Sequence, residues 1–260
     1  MTSDANSLVV TQFLSNHVGD LRLVAIGQRM QHILSSEELM FMNMIEADFS
    51  CSNLQQLASE SKDDPYLIVI ADMSNPLDHE IAESIALEFS SRSNTSFSLV
   101  INIGEPPKNL HTAFSNRISM CNGFKADLLD ALLDGPIRLY FDPGWVGVDL
   151  HDINATLDST DKNAYAAVAY ASGEMSGKAA AQAAIDELER GGINIADASG
   201  AFAMMAFDGV GLSQTKAAMT LIRDAMHPDA TIAYSCHAVT GNPFSVRIAL
   251  IASPNPLHSV

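Results

Sequence analysis

The sequence is short of bases. Lys and Arg number 14 against 31 Asp and Glu, for a net charge of −17 and an isoelectric point near 4.6. Charged residues make up only 17% of the chain, below the roughly 25% of an average soluble protein. The acidity therefore comes from missing bases rather than surplus acids. Such a chain cannot neutralise phosphates along a nucleic acid, and an anionic membrane surface repels it. These terms exclude a nucleic-acid partner and direct membrane binding. No run of about 18 apolar residues is present, so no spanning helix is expected. MTSDANS at the start has neither a basic nor an apolar segment of the kind a signal peptide needs. Cysteine is scarce too: Cys51, Cys121 and Cys236 are odd in number and far apart. That spacing fits reduced thiols in a cytoplasmic protein, not a disulfide framework or a metal site.

What is present is an α/β pattern. Hydrophobic residues make up 47% of the 260 positions, enough for one large domain or two ordinary ones. LRLVAIG (21–27), YLIVIAD (66–72) and SFSLVINIG (96–104) read as buried strands, because their apolar residues run without alternation. ELMFMNMI (38–45) reads as another strand, and QRMQHILSS (28–36) has helical spacing. A helix is expected from about Leu77 to Ser90, with Leu77, Ile81, Ile85 and Phe89 on one face. Alternating strands and helices imply a parallel sheet covered by helices.

The second half has a different grammar. FKADLLDALLD (124–134) is helical, and Gly135-Pro136 is expected to stop it. Strands follow over 163–173, 200–209, 230–239 and 244–253. Helices are expected over 177–192 and 213–226, the second capped by Ser213. A boundary near Leu133–Trp145 divides the chain into residues 1–134, a Rossmann-like parallel-sheet domain, and 135–260, a smaller α+β domain.

Several motifs resemble chemistry. GEMSGKA (173–179) is like a phosphate-binding loop. However, it has one residue too few between its glycines, and Ala179 stands where a hydroxyl is needed. A strand-to-helix turn explains its glycines. Ser235-Cys236-His237 sets a nucleophile beside a base, yet neighbours in a strand point to opposite faces, so the two cannot form a dyad. The twelve methionines read as core filler. Asp149, His151 and Asp152 cluster before a helical stretch, where acids favour the first turn. No glycine-rich loop follows LRLVAIG or YLIVIAD. A phosphate there needs unobstructed backbone N–H groups, and Asp72 adds negative charge.

PGWVGVDLHDINATL (143–157) resembles the T7, or synergy, loop segment of FtsZ, the bacterial tubulin homologue. AYASGEMSGKAAAQAAI (169–185) is similar to that family's GVASGEDRAEEAA stretch, and residues 193–235 and 244–253 follow the order of its C-terminal domain. The likeness covers roughly Pro143 to Ser253, in pattern more than identity. It implies a tubulin/FtsZ-like fold. LRLVAIG, YLIVIAD and SFSLVINIGEPP then resemble strands of the GTPase domain. The glycine-rich signature GGGTGTG is replaced by MSNPLDH (73–79), and the span from Asp48 to Tyr66 is too short for the usual phosphate-sensing loop. The central helix, near Phe124–Leu133, is shortened.

The resemblance implies a degenerate GTPase with no cofactor expected, GTP binding being doubtful. It also implies that Asp149 and Asp152 reach toward a partner's nucleotide. The partner would be an FtsZ-type protein, or a second copy, in a longitudinal contact. The family's C-terminal linker and partner-binding peptide have no counterpart here, so recruitment to membrane tethers by that route is not expected. Two other readings stay open: a divergent GTPase that polymerises, and a structural protein that assembles without nucleotide.

Overall fold

A computed structural model describes residues 13–18, 21–27, 50–52, 66–91, 97–105, 112–141, 148, 150–157, 163–241 and 243–254. The strand expected at 38–45 and the helical stretch expected at 28–36 lie outside this range. The described strands are β1 (Phe13–Val18), β2 (Leu21–Ile26), β3 (Ser50–Ser52), β4 (Tyr66–Ala71), β5 (Phe97–Asn102), β6 (Asn116–Met120), β7 (Asn163–Ala171), β8 (Ala198–Phe207), β9 (Thr231–Ala238) and β10 (Val246–Pro254). The helices are α1 (Pro76–Ser90), α2 (Ala126–Phe141), α3 (Leu150–Leu157), α4 (Ser176–Arg190) and α5 (Leu212–Ala225).

Among the described residues the strands form one sheet in the order β3-β1-β2-β4-β5-β6-β7-β10-β8-β9. The run from β2 through β4, β5 and β6 to β7 is parallel. The sheet is therefore not interrupted between the two halves: Arg117 to Met120 pair with Asn163 to Ala166. The expected boundary at residue 134 falls inside α2.

Side chains alternate across the sheet and sort the helices into two layers. Leu23, Ile68, Ile101 and Ile118 from the first half share one core with Val168, Phe202, Met204 and Ile251 from the second, under α2 and α3. On the other face, α1 covers Val24, Leu67, Val69 and Val100. There α4 and α5 cover Ala167, Ala203, Met205 and Leu250. All residues of β5 are buried, which explains its unbroken apolar run. No helix among the described residues is long and apolar enough to cross a membrane.

Three expectations are corrected. First, α2 does not stop at Gly135-Pro136; it continues to Phe141. Its first turns are held by Leu128, Leu129, Leu132 and Leu133 in the shared core, and this packing outweighs the lost backbone hydrogen bond and the crowding of the preceding turn that an interior proline brings. Second, α1 buries Asp78, Ala82, Ile85, Ala86 and Phe89, while Leu77 is 47% exposed. A repeat of four residues drifts about 40° per step on a 3.6-residue helix, so Leu77 and Phe89 face about 120° apart. Third, α5 is capped by Gly211, and Ser213 lies inside it. The polar stretch NRISM forms the buried strand β6 although it lacks an apolar run.

Candidate functional site

Two opposite edges of the sheet carry the residues of interest. The C-terminal ends of β2, β4 and β5 form the loop edge, where an open parallel sheet usually binds ligands. Extending the strand register brings Gly27, Asp72 and Ile103 side by side. The loop from β4 to α1 then spends its own donors internally. The Met73 N–H donates to Asn102 Oδ1 at 2.9 Å. The Ser74 N–H and hydroxyl donate to Asp72 Oδ1 at 3.1 and 2.5 Å. The Asn75 N–H donates to the Asp72 carbonyl at 3.0 Å. Pro76 has no N–H. Asn75 Oδ1 caps α1 by accepting from Leu77 and Asp78 at 3.0 and 3.5 Å, and the His79 N–H donates to the Asn75 carbonyl at 2.9 Å. Asn102 Oδ1 also accepts from the Gly104 N–H at 3.0 Å. Every backbone donor from Met73 to His79 is thus engaged within the chain.

Acids fill the same edge. Asp78 is buried, and a Cβ on Gly27 would stand 2.5 Å from its Oδ2. Burial, and then the charge of Asp72, push the Asp78 carboxyl above its ordinary range. The sign of its effect on stability follows. An acid raised in the folded state costs nothing below its unfolded value, and its full cost is reached above the folded one. Asp78→Asn is therefore expected to raise Tm at neutral pH in EDTA. The gap should close as pH falls toward the unfolded Asp value of 3.8, measured by melts across pH.

At the other edge lies the T7-like stretch. Asp149 is outside the described residues. Asp152 is exposed, in the first turn of α3. Its helix is anchored at the start of β6 by Asn116 Nδ2, which donates to Asn154 Oδ1 at 2.7 Å. Ile153 and Leu157 enter the shared core. A Cβ on Gly200 would stand 1.9 Å from the Thr156 carbonyl oxygen, so only glycine admits this approach of α3 to β8. Asp152 and the Asp72–Asp78 edge thus lie at opposite ends of the parallel strands. Asp152 is placed equally well for partner contact and for favouring its helix end.

The phosphate-loop-like motif serves packing. Gly173 turns the chain at φ +94°, and α4 begins at Ser176. The Gly177 N–H donates to Gln214 Oε1 at 2.9 Å. A Cβ there would stand 2.3 Å from the Gln214 carbonyl oxygen, because α4 and α5 touch at this point. Gly177→Ala is expected to destabilise by about 1–3 kcal/mol, as overpacking does, read from a denaturant melt.

Sequence reasoning missed a polar seam under α2. Tyr170, Arg247, Ala206 and His237 form a row across β7, β10, β8 and β9. Asp127, Asp130 and Asp134 of α2 face it. The Tyr170 hydroxyl donates to Asp127 Oδ2 at 2.9 Å, and Arg247 Nη1 donates to Asp130 Oδ2 at 3.2 Å. Arg247 Nη2 pairs with Asp134, whose Oδ2 lies 3.0 Å from His237 Nε2. Cys236 points to the opposite face, into the core under α4 and α5, as strand alternation requires. The signal available was the spacing of the three acids, i, i+3 and i+7, which places them on one face. At the start of α2, Lys125 and Arg190 pair with Glu187 and Asn122 Nδ2 donates to it at 2.8 Å. The Lys125 hydrogen bond, above all, holds the Glu187 carboxyl below its usual range.

No protein-family model and no curated protein matches the chain. Solved structures do. The FtsZ W319Y mutant of M. jannaschii is 14% identical at a TM-score of 0.60, over 77% of this chain and 70% of that one. This chain has an FtsZ/tubulin-like fold. The empty FtsZ dimer of M. jannaschii gives 14% and 0.60, over 76% and 66%. CetZ from Methanosaeta thermophila strain DSM 6194 gives 12% and 0.54, over 77% and 65%. The FtsZ-like chain thus spans about two thirds of the length of the empty FtsZ dimer chain and of CetZ.

Proposed function

We propose that this chain is a cytoplasmic FtsZ-like cytoskeletal protein that binds an FtsZ-type filament through Asp149 and Asp152 and turns over no GTP of its own. The loop edge carries the reading. A triphosphate needs backbone donors and positive charge. There the donors of residues 73–79 are spent, and Asp72 and Asp78 add negative charge. Asp152, at the opposite edge, is exposed. A chain with one competent end and one incompetent end acts as a cap or modulator rather than as a filament subunit.

The test is to add the chain to a polymerising FtsZ and follow sedimentation and GTP turnover. Changed turnover that is lost in Asp149→Asn/Asp152→Asn supports the reading. Micromolar binding of labelled GTP with magnesium to this chain alone would favour a divergent GTPase. Filaments of the pure protein without nucleotide, seen by light scattering and negative stain, would favour a structural protein.

A further inference from the structure

Asn122 is the only asparagine of the sequence that is followed by glycine. The pair lies in the turn between β6 and α2, and both residues are exposed. Gly123 has φ +82°, and a Cβ there would meet nothing within 4 Å, so the turn is open to water on this side. Among the described residues no acceptor takes the Gly123 N–H. Asn122, by contrast, is held by its amide nitrogen. Nδ2 donates to Glu187 Oε1 at 2.8 Å and to the Glu187 carbonyl at 3.1 Å. Glu187 lies near the end of α4, where Lys125 and Arg190 also pair with it. Asn122 thus ties the turn before α2 to the end of α4.

An asparagine side chain carries an electrophilic carbon, Cγ, next to the backbone nitrogen of the following residue. Ring closure between the two is intramolecular and needs only the right backbone rotation. Glycine permits that rotation, and it has no Cβ to shield its nitrogen. We propose that Asn122 is a site of spontaneous deamidation whose products loosen the tie between the turn before α2 and the end of α4. The Gly123 nitrogen gives its proton to water and forms a bond to Asn122 Cγ. The Cγ–Nδ2 bond breaks, and the nitrogen leaves as ammonia. The cyclic imide then takes up one water and opens at either carbonyl, which leaves aspartate or isoaspartate at position 122. Either product lacks the two donors to Glu187 and sets a negative charge beside its carboxylate. That charge also lies at the negative end of α4. Isoaspartate lengthens the backbone of the turn as well. Lys125 stays beside Glu187 and offsets part of the repulsion.

The experiment incubates the pure folded chain at 37 °C and pH 8.5 and follows the peptide that contains Asn122 by mass spectrometry. That peptide is expected to gain one mass unit, to split into aspartyl and isoaspartyl forms, and to convert before any other asparagine-containing peptide. Gly123→Ala should slow the conversion by about tenfold, because the added Cβ restricts the rotation that closes the ring. Should that variant not fold, Asn122→Gln serves instead, since its longer side chain closes a five-membered ring no longer and its peptide should keep its mass. Melts of Asn122→Asp should fall about 2–4 °C below the wild type, the shift for roughly one lost hydrogen bond at this chain length. An unchanged peptide mass in the wild type, or conversion confined to the chain unfolded in urea, overturns the site. Equal conversion in wild type and Gly123→Ala overturns the ring-closing route. A Tm of Asn122→Asp at or above that of the wild type overturns the loosening of the tie.

Discussion

Replacing Arg247 with methionine is expected to cost about 3–5 kcal/mol, the range for breaking a buried ion pair from one side. Arg247 joins Asp130 and Asp134 of α2 to β10. Asp134 is 2% and Asp130 7% exposed, so water replaces the guanidinium poorly, and Asp134 keeps its His237 neighbour at 3.0 Å. At this size the loss corresponds to a fall in Tm on the order of 10 °C, read directly in a melt. The penalty comes from stranded charge rather than lost volume, and a second variant separates the two. Arg247→Met combined with Asp130→Asn and Asp134→Asn should recover most of the stability, since apolar or neutral replacements of a whole buried network are often close to neutral. If the triple variant is as unstable as the single one, packing and not charge explains Arg247.

Gly200→Ala is expected to be as visible. Its Cβ would stand 1.9 Å from the Thr156 carbonyl, and the obstruction is backbone, which cannot rotate away. Either α3 lifts from β8 or β8 bends. Overpacking of this kind costs about 3 kcal/mol at the upper end of its usual range. The effect also has a local signature. Hydrogen exchange should accelerate over 150–157, including the Asn116–Asn154 contact, before it accelerates in β4 and β5. Asp152 sits on the displaced helix, so any effect on an FtsZ filament should weaken in parallel. Uniform acceleration across the whole sheet would mean that α3 is not held at this point.

These two sites differ in how far the sequence announced them. The parallel strands β4 and β5 were readable because both their faces are covered, which leaves the unbroken apolar runs YLIVIA and FSLVIN. Strand β6 was not readable. Asn116, Arg117 and Ser119 are polar yet buried, because this strand closes the gap between two halves, where Asn116 Nδ2 donates to Asn154 and Asn102 Nδ2 to Ser119. The stop signal at Gly135-Pro136 was sound as local chemistry, but packing of the leucine face of α2 overrode it. The acids of that helix could be placed on one face from spacing alone. Their partners Tyr170, Arg247 and His237 lie up to 117 residues away, and only the strand register sets them in a row. At the loop edge, the missing glycines were plain in MSNPLDH. The engagement of each N–H by Asp72, Asn75 and Asn102 needed the structure. The T7-like pair was legible only through resemblance, and the structure describes Asp152 of the two.

The central claim is that one end of this chain engages an FtsZ filament while the other holds no nucleotide. It is tested most directly by GTP turnover of a polymerising FtsZ titrated with this protein, beside the Asp149→Asn/Asp152→Asn variant. The account predicts a dose-dependent change in turnover and sedimentation with the wild type that the variant does not produce. Unchanged turnover and sedimentation, with no binding of the two proteins detected, would contradict it.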